Sequence, residues 1–191
     1  MEFENKAIGD YLKGLRSCLD ELSQQDIDGI VDIIFNAYKD AKQVFIMGNG
    51  GSATTASHFA RDLQIGAAVA GKPRIRAVSL IDNVAVITAL ANDMDYDSIF
   101  KEQLIGQLNE GDVVIGISAS GNSPNVFKAM EFARSQGAIT VGFIGFGGGK
   151  LKALTHKCIV LSSKDYGQVE DTHLVLDHIV SYLVKERIAN G

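Results

Sequence analysis

Cysteine and proline are both scarce in this chain. Its 191 residues include two cysteines, Cys18 and Cys158, which are isolated and form no Cys-x-x-Cys pair. This usage of cysteine suits a reducing compartment, and we expect a cytoplasmic protein. The two prolines, Pro73 and Pro124, are predicted to lie in a loop and at the first position of a helix, and the sequence contains no linker or low-complexity tract.

Basic residues are fewer than acidic ones, and long apolar runs are absent. Lysine and arginine total 18 against 23 acidic residues, and the net charge of −5 argues against a surface that coats nucleic acid. No apolar run approaches the roughly 20 residues of a membrane span, and the acidic, polar N-terminus is unlike a signal peptide. Hydrophobic residues still make up 46% of the chain, so we expect one domain over residues 1–191 with a substantial core.

Residues 1–42 are predicted to form a helical hairpin. Leucines at positions 12, 15, 19 and 22 recur at helical spacing, as do isoleucines and valines at positions 27, 30, 31 and 34. A small α/β core does not easily bury such a segment. We therefore expect a partner subunit to cover it, with packing inside the chain as the alternative.

Residues 43–191 alternate between strand-like and helix-like sequence. Strands are predicted at residues 43–47, 75–80, 112–117, 138–144 and 157–161, and helices at residues 52–65, 83–91, 97–108, 124–136 and 168–189. Nearly continuous valine and isoleucine, as in residues 113–115, suits parallel strands that are covered on both faces. The alternation predicts an α/β fold with a doubly wound, parallel, five-stranded sheet flanked by helices.

Two loops rich in glycine and serine follow buried strands and lead into helices. They are residues 48–52 (GNGGS) and residues 118–123 (SASGNS). Such loops offer backbone N–H groups and the positive end of a helix to an anion. Four hydroxyls add donors: Ser52, Ser118, Ser120 and Ser123. One such loop would favour a capped turn, but two at equivalent strand ends favour a phosphate site without lysine or arginine.

Neither loop is a nucleotide-binding motif. Residues 48–52 do not continue as Gly-x-Gly-x-x-Gly, because position 53 is alanine. A third glycine-rich stretch, residues 145–150 (GFGGGK), is followed by Leu151 where a P-loop requires serine or threonine. The sequence therefore gives little support to a dinucleotide or nucleoside triphosphate site.

Histidines and carboxylates form the second group of candidate residues. His58 and Asp62 are four apart in a predicted helix and share one face, either as a hydrogen-bonded surface pair or as part of a zinc or acid–base site. Glu170 and His178 are eight apart, about 12 Å along a straight helix, so joint metal binding would require an irregular helix start. His173 fits a helix-surface histidine at least as well as a catalytic one.

These motifs together resemble the SIS (sugar isomerase) domain family, and within it the phosphoheptose isomerases. The resemblance covers nearly the whole chain and lies in residues 48–52, 58–60, 91–93, 116–123 and 148–150 and in the closing helix with His173 and His178. It implies a single SIS domain, with residues 1–42 at an oligomer interface and residues 43–191 as the α/β core. It also implies isomerisation of sedoheptulose 7-phosphate to D-glycero-D-manno-heptose 7-phosphate through an enediol, for heptose assembly in lipopolysaccharide.

The resemblance assigns roles to individual residues. It makes Asp62 and His178 catalytic, and it makes His58, Asp62, Glu170 and His178 ligands of one zinc ion per subunit. The residues that it implies for binding the phosphorylated sugar are Asn49, Gly50, Gly51, Ser52, Asp93, Ser118, Ala119, Ser120, Ser123 and Glu170. The family has glutamate at position 62 and glutamine at position 170, so Asp62 is one methylene shorter and Glu170 adds a charge.

The resemblance also implies a homotetramer that binds neither nucleic acid directly nor a membrane. Two alternatives to the enzyme are a non-catalytic SIS scaffold that binds a replication initiator protein and a phosphosugar sensor without turnover. The departures at Asp62 and Glu170 suit the scaffold. The retention of His58, His178 and four loop serines favours the isomerase.

Overall fold

A single parallel sheet forms the centre of the structure, a computed structural model that describes residues 2–191 and the side chains of residues 4–191. The strands are β1 (Gln43–Gly48), β2 (Arg76–Ser79), β3 (Val113–Ser118), β4 (Ile139–Ile144) and β5 (Lys157–Val160). They are all parallel and lie in the order β2-β1-β3-β4-β5, with Phe45 of β1 opposite Val78 of β2 and Val114 of β3. The predicted α/β class and five parallel strands are confirmed.

In the described part of the chain, seven α-helices surround the sheet: α1 (Glu2–Asp20), α2 (Gln24–Lys39), α3 (Gly51–Arg61), α4 (Val84–Asp93), α5 (Ile99–Leu104), α6 (Pro124–Ser135) and α7 (Tyr166–Asn190). Short 3₁₀ turns lie at Tyr96–Ser98 and Leu151–Leu154. The predicted helix at residues 52–65 is wrong in one respect, because α3 ends at Arg61 and passes into a π-helical turn, Asp62–Gly66. Within residues 2–191, no helix has an apolar stretch that could cross a membrane.

The core is divided between the two faces of the sheet. Along β1, Val44 and Ile46 face a layer that contains α2, α3 and α7, whereas Phe45 and Met47 face α5 and α6. All four side chains are fully buried. Burial on both faces explains why this strand reads as a continuous apolar run rather than as an alternating one.

The two N-terminal helices both contact α7. α2 buries an apolar stripe inside the chain, made of Ile27, Ile30, Val31, Ile34 and Ala37. α1 remains largely exposed and presents Ile8 and Leu12 to solvent. Packing within the chain thus accounts for α2, and only α1 keeps the uncovered apolar surface expected of this segment.

The strand order brings the two glycine- and serine-rich loops together. The chain passes from β1 outward to β2 and then returns to β3 on the other side of β1. In open α/β sheets, ligands bind at the carboxyl ends of the strands where the order reverses in this way. Residues 48–52 and 118–123 leave β1 and β3 at that point, so the topology places both loops at the expected binding edge.

Candidate active site

The two loops line one small cavity of about 130 Å³, which we call the loop cavity. Its lining residues come from both loops, the end of β3 and the start of α7: Asn49, Ser52, Ile117, Ser118, Ala119, Ser120, Ser123, Tyr166 and Glu170. The four serines named from the sequence are therefore brought together. Tyr166 is an additional lining residue that the sequence did not single out.

Ser118 holds the second loop in shape. Its Oγ lies 3.0 Å from Ser123 Oγ and accepts a hydrogen bond of 3.1 Å from the backbone N–H of Gly121. Gly121 has a φ of +64° and contacts the backbone of Gly148, so a side chain at this position would be both strained and obstructed. Ser118 thus has a structural role beside any contact with a ligand.

Ser52 and Ser120 are better placed to donate hydrogen bonds to a ligand. Ser52 is buried in the first turn of α3, where backbone N–H groups lack partners within the helix. The Oγ of Ser120 accepts a 3.2 Å hydrogen bond from Asn122 N, which leaves its O–H proton for another acceptor. Both hydroxyls line the loop cavity, as an anion site requires.

Glu170 brings a negative charge to this cavity. Its carboxylate lies so close to Gly51, the first residue of α3, that a side chain at position 51 would collide with it. The positive end of the helix dipole stabilises a carboxylate there, and the same position is predicted for the phosphate. Glu170 and a bound phosphate would therefore repel each other at the start of α3.

Asn49 is held by a side-chain pair rather than left free. Its Nδ2 donates to Asn125 Oδ1 at 2.8 Å, and its Oδ1 accepts from Asn125 Nδ2 at 2.9 Å. The hydroxyl of Tyr96 also donates to Asn49 Oδ1, at 3.0 Å. Asp93 lies elsewhere, at the exposed end of α4, where it accepts a hydrogen bond from Asn92 and does not line the loop cavity.

A second group of side chains, the histidine–aspartate cluster, lies between α3 and α7. It consists of His58, Asp62, Asp177 and His178, whose candidate ligand atoms all lie within 4.8 Å of one another. His58 Nε2 is 3.0 Å from His178 Nε2 and 3.2 Å from Asp62 Oδ2. The distance from His178 Nε2 to Asp62 Oδ2 is 3.8 Å. Imidazole nitrogens and carboxylate oxygens at these separations can hold a divalent metal or transfer protons.

Asp62 is placed in the cluster by the π-helical turn that begins at this residue. Its side chain is largely buried, and Arg61 Nη1 forms an ion pair with its Oδ1, which leaves Oδ2 facing the two histidines. π-Helical turns occur frequently at functional sites. Asp62 and His178 also line a cavity of about 270 Å³ together with Arg61, Tyr182 and Lys185. Asp62 is therefore a buried site carboxylate rather than half of a surface pair.

Glu170 lies apart from this cluster, although the resemblance makes it a metal ligand. α7 is a regular helix from Tyr166 onward, so the irregular start that would carry Glu170 toward His178 does not occur. About 12 Å of helix separates the two residues, and Glu170 is not among the side chains whose ligand atoms lie within 4.8 Å of one another. The structure groups Glu170 with the loop serines instead.

Asp177 is the cluster member that the sequence reasoning missed. It is fully buried, and neither carboxylate oxygen accepts a hydrogen bond from residues 4–191. Burial, followed by the negative charge of Asp62, raises the pKa of Asp177 to about 8. A signal was available, because Asp177 lies four residues after His173 on the apolar stripe of the closing helix. Burial of a carboxylate on such a stripe is costly unless the group has a partner, which marks Asp177 as a candidate site residue.

His173 is buried, so its interpretation as a helix-surface histidine is wrong. It lies on the stripe of α7 that packs on the sheet, and its ring centroid is 6.1 Å from that of Phe143. Burial lowers the pKa of His173 to about 4, against a smaller raising effect from the backbone of Ile144. The residue therefore belongs to the core, and it is uncharged at neutral pH.

The buried His173 predicts a loss of stability in acid. Between pH 6.5 and about 4 the unfolded chain binds a proton at this residue that the folded protein does not, so the stabilisation present above pH 6.5 is lost as the pH falls. Urea unfolding of the chelator-treated protein across this range should show the loss. His173→Phe should lose less stability over the same range, and identical pH dependence in both proteins would contradict the assignment.

The loop cavity and the histidine–aspartate cluster lie along the same pair of helices. Near one end Gly51 of α3 contacts Glu170 of α7, and seven residues further along α3 His58 meets His178. The two contacts are about 10–12 Å apart along the helix axes. A ligand with its anionic group in the loop cavity would extend beside α3 and α7 toward the cluster.

Comparison with known proteins shows which family this chain resembles. A model of the SIS domain matches residues 10–145. The phosphoheptose isomerase of Aquifex aeolicus is 36% identical over 168 residues, which are 88% of this chain and 87% of that protein. That of Citrifermentans bemidjiense is 35% identical over 162 residues, 85% and 84% of the two chains. The solved phosphoheptose isomerase GmhA of Neisseria gonorrhoeae has the same fold, with a TM-score of 0.88 and 23% identity over 96% of this chain and 99% of that one.

Proposed function

Because the chain belongs to the SIS domain family and, within it, to the phosphoheptose isomerases, we propose that it interconverts sedoheptulose 7-phosphate and D-glycero-D-manno-heptose 7-phosphate. This is an aldose–ketose isomerisation, and its product would feed heptose assembly for lipopolysaccharide. The observation that carries the proposal is the position of His58, Asp62 and His178 beside the same two helices that frame the loop cavity.

The loop cavity would hold the phosphate. Ser52 and Ser120 would donate hydrogen bonds, together with backbone N–H groups at the start of α3. Asn49, which already lies at the edge of the cavity, would contact a sugar hydroxyl, and Asp93 would do so from the end of α4. Binding energy from the phosphate, remote from the reacting carbons, would orient the sugar for proton transfer.

Two groups of the cluster would carry the protons. Asp62 would remove the proton from the carbon next to the ketose carbonyl, which produces an enediol, and would then return a proton to the former carbonyl carbon. His178 would move the proton between the two oxygens. When no zinc ion is bound, Asp62 Oδ2 and His178 Nε2, which are 3.8 Å apart, can both contact one end of a sugar.

We further propose that His58, Asp62 and His178 hold one zinc ion in each subunit. Two imidazoles and a carboxylate are ligands that suit zinc, and the buried carboxylate of Asp177 beside them lacks a hydrogen-bonding partner among residues 4–191. A bound zinc ion would supply Lewis acidity that polarises the sugar carbonyl. His58 would then be a ligand rather than a proton carrier.

The protein is further proposed to act as a homo-oligomer, a tetramer by resemblance to its family. Valine, alanine, isoleucine and leucine make up most of α4, yet none of its residues is buried in the monomer. Burial of this exposed apolar surface would be favourable, and an interface with a second copy of the chain would bury it.

Light scattering of the parent protein at micromolar concentration should therefore give a multiple of the chain mass. Val84→Glu, which places a charge on the exposed surface of α4, should lower that mass. Gln136→Glu, at an exposed position beyond α6, should leave the mass unchanged. A monomeric mass for the parent protein would contradict the oligomer.

The cytoplasm is the proposed location of the reaction. Cys18 and Cys158 are free thiols in the structure, which is usual for proteins of a reducing compartment. Phosphorylated sugars are the proposed substrates, with neither nucleic acid nor membrane as a direct partner.

The scaffold and sensor alternatives are not favoured. The relatives that match most of the chain bear the name of the isomerase, and Asp62 still contacts His58 despite the lost methylene. Incubation of the protein with sedoheptulose 7-phosphate, with and without zinc, followed by separation of the heptose phosphates, tests the proposal. We expect the aldoheptose phosphate to form. Absence of product in both incubations would favour the scaffold or the sensor.

A further inference from the structure

Asp177 is a buried carboxylate without a hydrogen-bonding partner among the described side chains. Its side chain is fully excluded from solvent, and neither oxygen accepts a hydrogen bond from residues 4–191. A buried polar group without a partner destabilises the protein, and a carboxylate does so more than a neutral group. The guanidinium of Arg61, which contacts the cluster, is paired with the other aspartate, Asp62. A cation that binds among these side chains would offset the penalty.

The side chain of Asp177 points at the cluster rather than away from it. Its Oδ2 is 4.0 Å from His58 Nε2. Atoms bound about 2.0–2.2 Å from a tetrahedral zinc ion lie about 3.3–3.6 Å from one another. The observed distances of 3.0 and 3.2 Å from His58 Nε2 to His178 and Asp62, and of 3.8 Å between the latter two, bracket that spacing. Small side-chain shifts would give four ligand atoms a common centre.

We propose that Asp177 is the fourth ligand of a divalent metal ion held by His58, Asp62 and His178, and that Glu170 is not a ligand. This inference rests on the zinc ion of the proposed function but not on its sugar chemistry. Two aspartates would balance the charge of a divalent ion. The set would then be two histidines and two aspartates, all contributed by α3, its π-helical extension and α7.

The position of Glu170 supports this division of roles. Glu170 and Asp177 are seven residues apart on one face of α7, about 10.5 Å along its axis. Glu170 therefore lines the loop cavity, while Asp177 lies in the cluster. The same helix face thus carries one carboxylate toward the phosphate and another toward the metal.

Zinc binding to the metal-free protein tests the inference without any sugar present. Calorimetric titration should show that Asp177→Asn weakens zinc binding by about tenfold or more, since it replaces a charged ligand by a neutral amide. Glu170→Gln, the matched change on the same helix face, should alter zinc affinity by less than about twofold. Unchanged zinc affinity in Asp177→Asn, or a large loss of zinc affinity in Glu170→Gln, would overturn the proposal.

A second variant keeps the test decisive if the asparagine variant does not fold. Asp177→Cys places a thiol at the same position, and a thiolate is a strong ligand of zinc and cobalt. Adding Co²⁺ should produce a thiolate-to-metal absorption band in the near ultraviolet, and its absence would contradict contact between residue 177 and the metal. Intact zinc binding without turnover would count against the sugar chemistry alone, because neither titration involves the sugar.

Discussion

Asp62→Asn should lower kcat for sedoheptulose 7-phosphate by about 10²–10⁴-fold, the range typical of a general acid or base. The amide keeps the shape of the side chain but cannot accept the proton from carbon. His178→Gln should lower kcat over a similar range, because proton transfer between the sugar oxygens would lose its carrier. Steady-state kinetics on both variants, with zinc analysis of each protein, provides the measurement.

Because Asp62 and His178 are also proposed zinc ligands, kcat of these variants is measured both with excess zinc and after chelator treatment, and loss of the base should lower it in both. His58→Ala should act through reduced zinc occupancy, since His58 is proposed as a ligand alone. Asp171→Asn, on an outer face of α7 where the carboxylate accepts a hydrogen bond from Tyr11, should turn over at the parent rate. Parent-like kcat in both Asp62→Asn and His178→Gln would show that the catalytic assignment is wrong.

Ser52→Ala and Ser120→Ala should each weaken phosphosugar binding by about 10–100-fold. A hydrogen bond to a charged group contributes about 1.5–3 kcal/mol, and 1.4 kcal/mol corresponds to a factor of ten in affinity. The two hydroxyls line the loop cavity from different loops, and we expect both to face the phosphate. Calorimetry with sedoheptulose 7-phosphate measures the loss.

A serine outside the cavity is the control for this prediction. The Oγ of Ser135 donates to the carbonyl of Phe132 at the end of α6, so Ser135→Ala should leave the affinity unchanged. Ser118→Ala should behave differently from all three, because the Ser118 Oγ also accepts from Gly121 N and would disturb the loop itself. Unchanged affinity in both Ser52→Ala and Ser120→Ala would refute the phosphate site.

The strands and their parallel arrangement could be predicted because their sequence carries two signals at once. Residues 113–117 are apolar on both faces, which is typical of a strand between two helical layers, and small residues follow at the strand end. The π-helical turn at Asp62–Gly66 and the two 3₁₀ turns could not be predicted. They are one turn long or little more, and their geometry depends on tertiary packing rather than on any sequence period.

The loop cavity could be predicted because the carboxyl ends of neighbouring parallel strands share one edge of the sheet. The cluster could be predicted only in part, because the spacing of His58, Asp62 and His178 along the sequence is compatible with several roles. Asp177 was missed, and His173 was interpreted as a surface residue, because spacing along the sequence does not show which face of α7 packs on the sheet. The apolar stripe of that helix holds this information, and both residues lie on it.

Isomerisation in deuterium oxide is the most direct test that this chain is a phosphoheptose isomerase acting through an enediol. One sample of the protein is loaded with zinc and a parallel sample is treated with chelator. Both are incubated with sedoheptulose 7-phosphate, and the product is examined by NMR. We expect the aldoheptose 7-phosphate, with deuterium at carbon 2 in part of the molecules, because the proton carried by Asp62 exchanges with solvent. Product that still lacks deuterium after prolonged equilibration would contradict proton transfer through Asp62, and the absence of product in both samples would contradict the isomerase.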